Sequence, residues 1–347
     1  MAAIEPSGDG PTALDEAVSS RMTTLSSEAK VQLFRSLFRG REDVFARRWE
    51  NRRTGKAGYS PACANEWDPV LCGKGRVRGS TRKANCVECC EHSFFRVTDE
   101  EIEKHLKGFQ VMGVCPLLVD ETCWFLAADF DDGAWQDDVA SFRETCHSHD
   151  VPVAIERSRS GRGAHAWLFF SEPVPSSLAR SLGCFLITES MARRHQLPMS
   201  SYDRLFPNQD TLPKGGFGNF VALPLQREAR ARSNSVFVGA SFTAYEDQWA
   251  FLSSIQRIDL NRVREIVQDA GRRGQVMGLR TVDTEEESGC AENVSMNEAL
   301  PREVHAVVSQ RFFLERNGLP SPLLNQIKRL AAFQNPEHEA FYCDVRH

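Results

Sequence analysis

The spacing of apolar residues changes several times along the chain, and each change predicts a different element. Val31, Phe34, Leu37, Phe38, Val44, Phe45 and Trp49 recur at roughly helical spacing after Ser27, a capping residue type, with Gly40 as an interruption. Two short helices are expected there. Residues 55–98 are rich in Gly and Cys and show no period, and Asp99 then caps a short helix to Leu106. Further on the runs become strand-like: 114–119 and 123–131, joined at Asp120-Glu121-Thr122, then 153–156, 164–170, 219–225 and 235–238. Helices are expected over 134–149, from Pro175 to about Arg194, and in a separate segment over 301–333. The pattern is that of an α+β protein.

Composition marks the boundaries. Residues 1–29 and 283–298 hold most of the balancing acid and read as disordered tails or linkers. The expected organisation is a disordered tail (1–29), a helical and metal-binding segment (30–109), a core (110–280), an acidic linker (281–300) and a helical C-terminal segment (301–347). No apolar run reaches the length that spans a bilayer, and no signal-peptide pattern opens the chain, so a soluble, intracellular, cytoplasmic protein without a membrane partner is expected. The net charge of −5 hides a segregation: residues 31–98 hold fourteen Lys and Arg against seven Asp and Glu. That basic segment suits a phosphate-bearing partner, with a merely solvated face as the alternative.

Eleven cysteines in a chain of this length favour metal binding over a disulfide scaffold, because four of them fall within 63–89. Cys63, Cys72, Cys86 and Cys89 have structural-zinc character, since a short irregular module needs a cross-link; Cys90 or His92 can replace one ligand in this reading.

Asp129 and Asp131 end a strand-like run, and residues two apart on a strand share a face. Two adjacent carboxylates repel unless a cation neutralises them, and a hard ion such as Mg²⁺ or Mn²⁺ prefers such oxygens. The alternative is an acidic turn, since Asp132 and Gly133 follow. Ser160-Gly161-Arg162-Gly163-Ala164-His165 is a phosphate pocket by composition: glycines admit an anion to the backbone, Arg162 offers a planar fork, and His165 stands one place beyond the turn. Neither GxxxxGK[ST] nor GxGxxG occurs. A third acid in 201–210 would complete a two-metal site; Asp203 is preferred over Asp210. Lys214 and Gly215–Asn219 offer a phosphate-facing loop or a plain hairpin turn.

These motifs resemble the archaeo-eukaryotic primase superfamily: a DxD on a strand, Ser-x-Gly-x-x-His near a hairpin, then a third acid. The sequence is most similar to the primase-polymerase domain of TOTE conflict systems, in Gly58–Cys63, Asp129–Asp131, Glu156–Gly161, Ser201–Asp210 and Phe217–Leu225, over about residues 30–255. The resemblance implies a primase fold with an RRM-like catalytic sheet and templated nucleotidyl transfer to a DNA or RNA primer strand. It also implies Mg²⁺ or Mn²⁺ ligation by Asp129, Asp131 and Asp203, with Ser160, Arg162 and His165 holding the incoming nucleoside triphosphate. Gly163, Gln209 and Lys214 join that nucleotide-binding set. Because this domain often precedes a helicase in the family, and residues 329–337 look like the start of that joint, a helicase is a candidate partner; helicase activity itself is not expected in this chain. The competing readings are a metal-dependent phosphodiesterase using the same acids, which has less use for a triphosphate pocket, and a non-catalytic zinc-containing nucleic-acid-binding module.

Overall fold

The computed structural model describes residues 25–51, 53–68, 70–72, 86, 89–131, 133–193, 201–212 and 216–272, together with the backbone of 278–281 and 304–307. The first helix, α1 (Ser27–Leu37), is capped by the Ser26 hydroxyl, which accepts from the Ala29 N–H, and it buries Val31, Phe34 and Leu37. The second expected helix is instead a strand, β1 (Ala46–Glu50). Good helix formers are overridden there by pairing on both edges, antiparallel to β2 (Ala57–Pro61) on one side and to β3 (Met112–Val114) on the other. Between them α2 (Asp99–Lys107) starts at a Thr98 cap and ends on Gly108 at φ 94°, where only a residue without Cβ is unstrained.

Two antiparallel sheets result. One has the order β2-β1-β3-β8, with β8 at Val221–Ala222; the other has the order β7-β4-β6-β5-β9. The second sheet comprises β4 (Thr122–Asp131), β5 (Ala154–Arg157), β6 (Gly163–Pro175), β7 (Tyr202–Phe206) and β9 (Val236–Phe237). Alternation sends the residues of β4 and β6 to two different layers. Gly183 of α4 (Ser176–Arg193) lies against Leu126 and Leu205, with α3 (Trp135–Ser148) and α7 (Leu260–Arg272) beside α4. On the other face, Phe38, just after α1, meets Trp167 at 5.0 Å and Phe169 at 5.4 Å between ring centroids. Thus residues 31–62 join the same hydrophobic cluster as β4 and β6, and the expected boundary at 109/110 runs through both this cluster and the β1–β3 pairing.

The expected strand over 114–119 shrinks to β3, because Pro116 cannot donate to a ladder and Leu118–Thr122 closes as a turn. Two short helices, α5 (Arg227–Arg230) and α6 (Gln248–Ser253), and the longer α7 lie where no helix was expected. Inside the segment expected to be helical after 301, Val304–Val307 is a strand paired with Gly278–Thr281; the rest of 301–347, the tail before 25 and the acidic linker lie outside the described residues. No helix among the described residues is long and apolar enough to cross a membrane.

Candidate active site

The register of β4 assembles the site. Asp129 pairs with His165 and Asp131 with Gly163 on β6, so Asp129 and His165 project from the same face. On the other edge, Arg204 of β7 pairs with Asp129 while Tyr202 pairs with Phe130, leaving Asp203 as the extra residue of a bulge. A bulge re-aims the side chain that it carries. Ligand atoms of Asp129, Asp131 and Asp203 all lie within 4.8 Å of one another, the only such group of three or more His, Cys, Asp or Glu among the described residues. Buried Asp138 of α3 holds the start of β7 in place: its Oδ2 accepts from the Ser201 N–H at 3.1 Å and the Ser201 hydroxyl at 2.6 Å. The Ser201 carbonyl in turn accepts from the Asp131 N–H at 2.7 Å. Asp203 also accepts from Arg204 Nε at 2.7 Å. Asp210, the rejected third acid, is instead held in a largely buried pair with Arg180.

Burial pushes the Asp129 carboxyl up to about 6, against the pull of His165; the Asp131 and Asp203 charges add to the rise. For His165, burial alone lowers the pKa, but the Glu156 and Asp129 carboxylates outweigh it and raise it to about 9. The imidazole is flanked on both sides: Nδ1 donates to Glu156 Oε2 at 2.8 Å, and Nε2 lies 3.4 Å from Asp129 Oδ1. Glu156 is 1% exposed and is shared by three donors, since Oε2 also accepts from Trp167 Nε1 at 3.0 Å and Oε1 from the Ser235 hydroxyl at 3.2 Å. Sequence reasoning gave this glutamate no role. Its signal was a charged residue closing an otherwise apolar strand run, opposite a histidine once the hairpin is paired.

The turn between β5 and β6 is shaped by its own groups. Ser158 N–H donates to Gly163 O, Gly161 N–H to Ser158 O, and the Ser160 hydroxyl bonds that of Ser158 at 3.0 Å while accepting from the Arg162 N–H. Ser160 and Arg162 are exposed at its tip. Gly161 has φ 77°, and a Cβ on Gly163 would stand 2.2 Å from Phe130 O and 2.7 Å from Asp131 Oδ1. Gly163 therefore permits the close approach of the turn to the acids. Gln209 sits apart from the turn, between the β6–α4 junction, where its carbonyl accepts from Ser176 Oγ, and the Gly218 loop; its Nε2 is buried without a partner. Lys214 lies outside the described residues.

Cys63, Cys72, Cys86 and Cys89 are all half-buried and outside any disulfide, and no three of their sulfurs meet the spacing that the acids meet. Cys63 Sγ accepts from the Ser93 N–H at 3.3 Å, and Cys63 bridges to Phe94, which brings it to the chain just after Cys89. Residues 73–85, 87 and 88 between these cysteines lie outside the described residues.

A mixed α/β domain of antiparallel sheets thus brings a carboxylate trio able to hold a divalent ion to the edge of a glycine-rich turn. The model of the TOTE conflict system archaeo-eukaryotic primase domain matches residues 29–266, and the chain belongs to that family. Membership supports nucleotidyl transfer as the general class of chemistry. Among curated proteins there is no match. Among solved structures the chain is similar to the polymerase domain from Mycobacterium tuberculosis ligase D in complex with DNA, at 14% identity and a TM-score of 0.33, over 72% of this chain and 88% of that one.

Proposed function

We propose that this chain is a primase-polymerase that extends a DNA or RNA primer on a template, using nucleoside triphosphates. The observation that carries this reading is the meeting of Asp129, Asp131 and bulged Asp203 beside His165. Three carboxylates so close are mutually repulsive, and a Mg²⁺ or Mn²⁺ ion, which these oxygens suit, supplies charge neutralisation and polarisation of phosphate oxygens when bound. The chain's own residues do the rest. Asp129, Asp131 and Asp203 would hold that ion from neighbouring strands, and a carboxylate oxygen among them can accept a hydrogen bond from the primer 3′-hydroxyl. His165, protonated at neutral pH by its two carboxylate neighbours, donates from Nε2 to the triphosphate, and pyrophosphate leaves. Ser160, Arg162 and the backbone at Gly163 line the side from which the nucleotide enters, with Gln209 and Lys214 proposed as further contacts.

Cys63, Cys72, Cys86 and Cys89 are proposed as ligands of a structural zinc, supported by the N–H···S bond to Cys63. A helicase partner and a cytoplasmic location are part of the same proposal. Incubating the protein with Mn²⁺, labelled nucleotides and a primer-template separates the readings: elongation supports the proposal, shortening indicates a phosphodiesterase, and a mobility shift alone indicates a binding module.

A further inference from the structure

Three arginines gather beside the β5–β6 turn, and two of them lack a counter-ion among the described residues. Arg159 is on that turn, Arg232 is on the turn that follows α5, and Arg48 is on β1. The two turns are packed together. Ser235 N–H donates to Ser158 O, Arg157 Nη1 donates to Ser233 O at 2.9 Å, and the Asn234 side chain occupies the space where a Gly161 Cβ would stand. Arg48 enters through its register with Tyr59 on β2, whose half-buried ring lies within the fields of both Arg48 and Arg159.

Arg48 is neutralised by Glu50, Nη1 to Oε2 at 2.9 Å. The Arg159 and Arg232 side chains form no hydrogen bond or ion pair with any described residue, and Arg159 Nε is buried without a partner. Burial first, then the charges of Arg48 and Arg232, lower the Arg159 pKa. Glu50 and Glu156 are the acids nearby, and both are occupied, the latter by His165, Trp167 and Ser235. Burial raises the Tyr59 phenol to about 12, so its hydroxyl stays protonated and able to donate.

Arg159 is half-buried and Arg232 is exposed beside it; like charges so placed disfavour the empty site, and an anion arriving between them relieves the repulsion. We propose that Arg159, Arg232 and the Tyr59 hydroxyl form a phosphate-binding site at the β5–β6 turn, a role beyond the Ser160–His165 contacts. Two guanidinium forks and one hydroxyl match the oxygens of a phosphate group. The phosphate is either a diester of the template or primer strand or part of the nucleotide's triphosphate; only this choice of source rests on the transferase reading.

The test uses Arg159→Gln, Arg232→Gln and the double variant with two probes, neither of which requires turnover. A fluorescent single-stranded oligonucleotide is titrated at several salt concentrations, and inorganic tripolyphosphate is read by its shift of melting temperature. If the source is the strand, the double variant loses about ten- to a hundredfold in oligonucleotide affinity, and its salt slope falls by about 1–2, with the tripolyphosphate response intact. If the source is the nucleotide, the tripolyphosphate shift is lost and oligonucleotide binding is kept. Ligand-free Arg159→Gln is expected to melt at or above the wild-type temperature, because a repulsion has been removed. Unchanged response to both probes overturns the proposal, as does a ligand-free Arg159→Gln that melts several degrees lower. Wild-type protein that binds both probes yet adds no nucleotide contradicts the transferase reading and leaves this site standing.

Discussion

Glu156→Gln removes one charge and almost nothing else. The amide oxygen can replace Oε2 as acceptor for His165 Nδ1–H and Trp167 Nε1–H, and the amide nitrogen can donate to the Ser235 hydroxyl, which reverses its role. Stability should therefore stay within about 1 kcal/mol of wild type. What is lost is a charge-assisted bond to His165, roughly twice as strong as a neutral one, so about 1–2 kcal/mol of its support goes. That corresponds to about a tenfold fall in kcat/KM for the nucleotide. The pH profile supplies an independent sign. Because Glu156 helps hold His165 protonated up to about 9, donation from Nε2 is lost as pH rises through that value, and in Glu156→Gln the alkaline limb should move to lower pH. Glu156→Leu leaves three buried donors unpaired and should instead unfold at markedly lower temperature. Steady-state primer extension from pH 6 to 10, in roughly one-unit steps around the ordinary His range, with melting curves in parallel, decides the matter. A Glu156→Gln enzyme with wild-type kcat/KM and an unmoved alkaline limb would refute the coupling.

Gly163→Ala should abolish nucleotide addition and lower the melting temperature, since its Cβ would collide with Phe130 O and with the Asp131 carboxylate; a fully active variant would show that the turn does not need this approach. His105, fully buried, accepts from the Met112 N–H at Nδ1 and donates from Nε2 to Pro224 O, and burial lowers its pKa from 6.5 to about 4. The unfolded chain therefore binds this proton more readily, so its contribution to stability is complete above about 6.5 and is lost as pH falls toward 4, by about 3 kcal/mol in all. Denaturant melts of wild type and His105→Gln across that window measure it, and equal acid slopes would contradict the assignment. Metal analysis should find about one zinc per chain, reduced in Cys86→Ser and Cys89→Ser; full retention in both would remove zinc from the account.

The β4 and β6 strands, α3, α4 and the pair of acids at the end of β4 were legible because each depends on local pattern: alternation, a proline at a helix start, or residues two apart on a strand. The β1 strand was misread because its residues favour a helix and only its two partners, more than sixty places away in one case, make it extended. No strand was expected at β7, whose bulge breaks the alternation that would have revealed it. The third acid was nonetheless chosen from its motif, and the structure brings Asp203 to the other two while Asp210 is engaged by Arg180. Glu156 was invisible as a positioning group until the hairpin register set it opposite His165, and the unpaired arginines until two distant turns were packed together.

The central claim is that the trio of Asp129, Asp131 and Asp203 performs nucleotide addition. Its most direct measurement is primer extension with Mn²⁺ by wild type, Asp203→Asn and Asp210→Asn, each assayed below its own melting temperature. Wild type should elongate the primer and Asp203→Asn should be inactive while melting normally and keeping its hold on DNA. Asp210→Asn, which replaces the charged partner of the largely buried Arg180 by a neutral amide, should lose stability by about 1–3 kcal/mol yet still add nucleotides while folded. Elongation by Asp203→Asn, or none by folded wild type, would contradict the account.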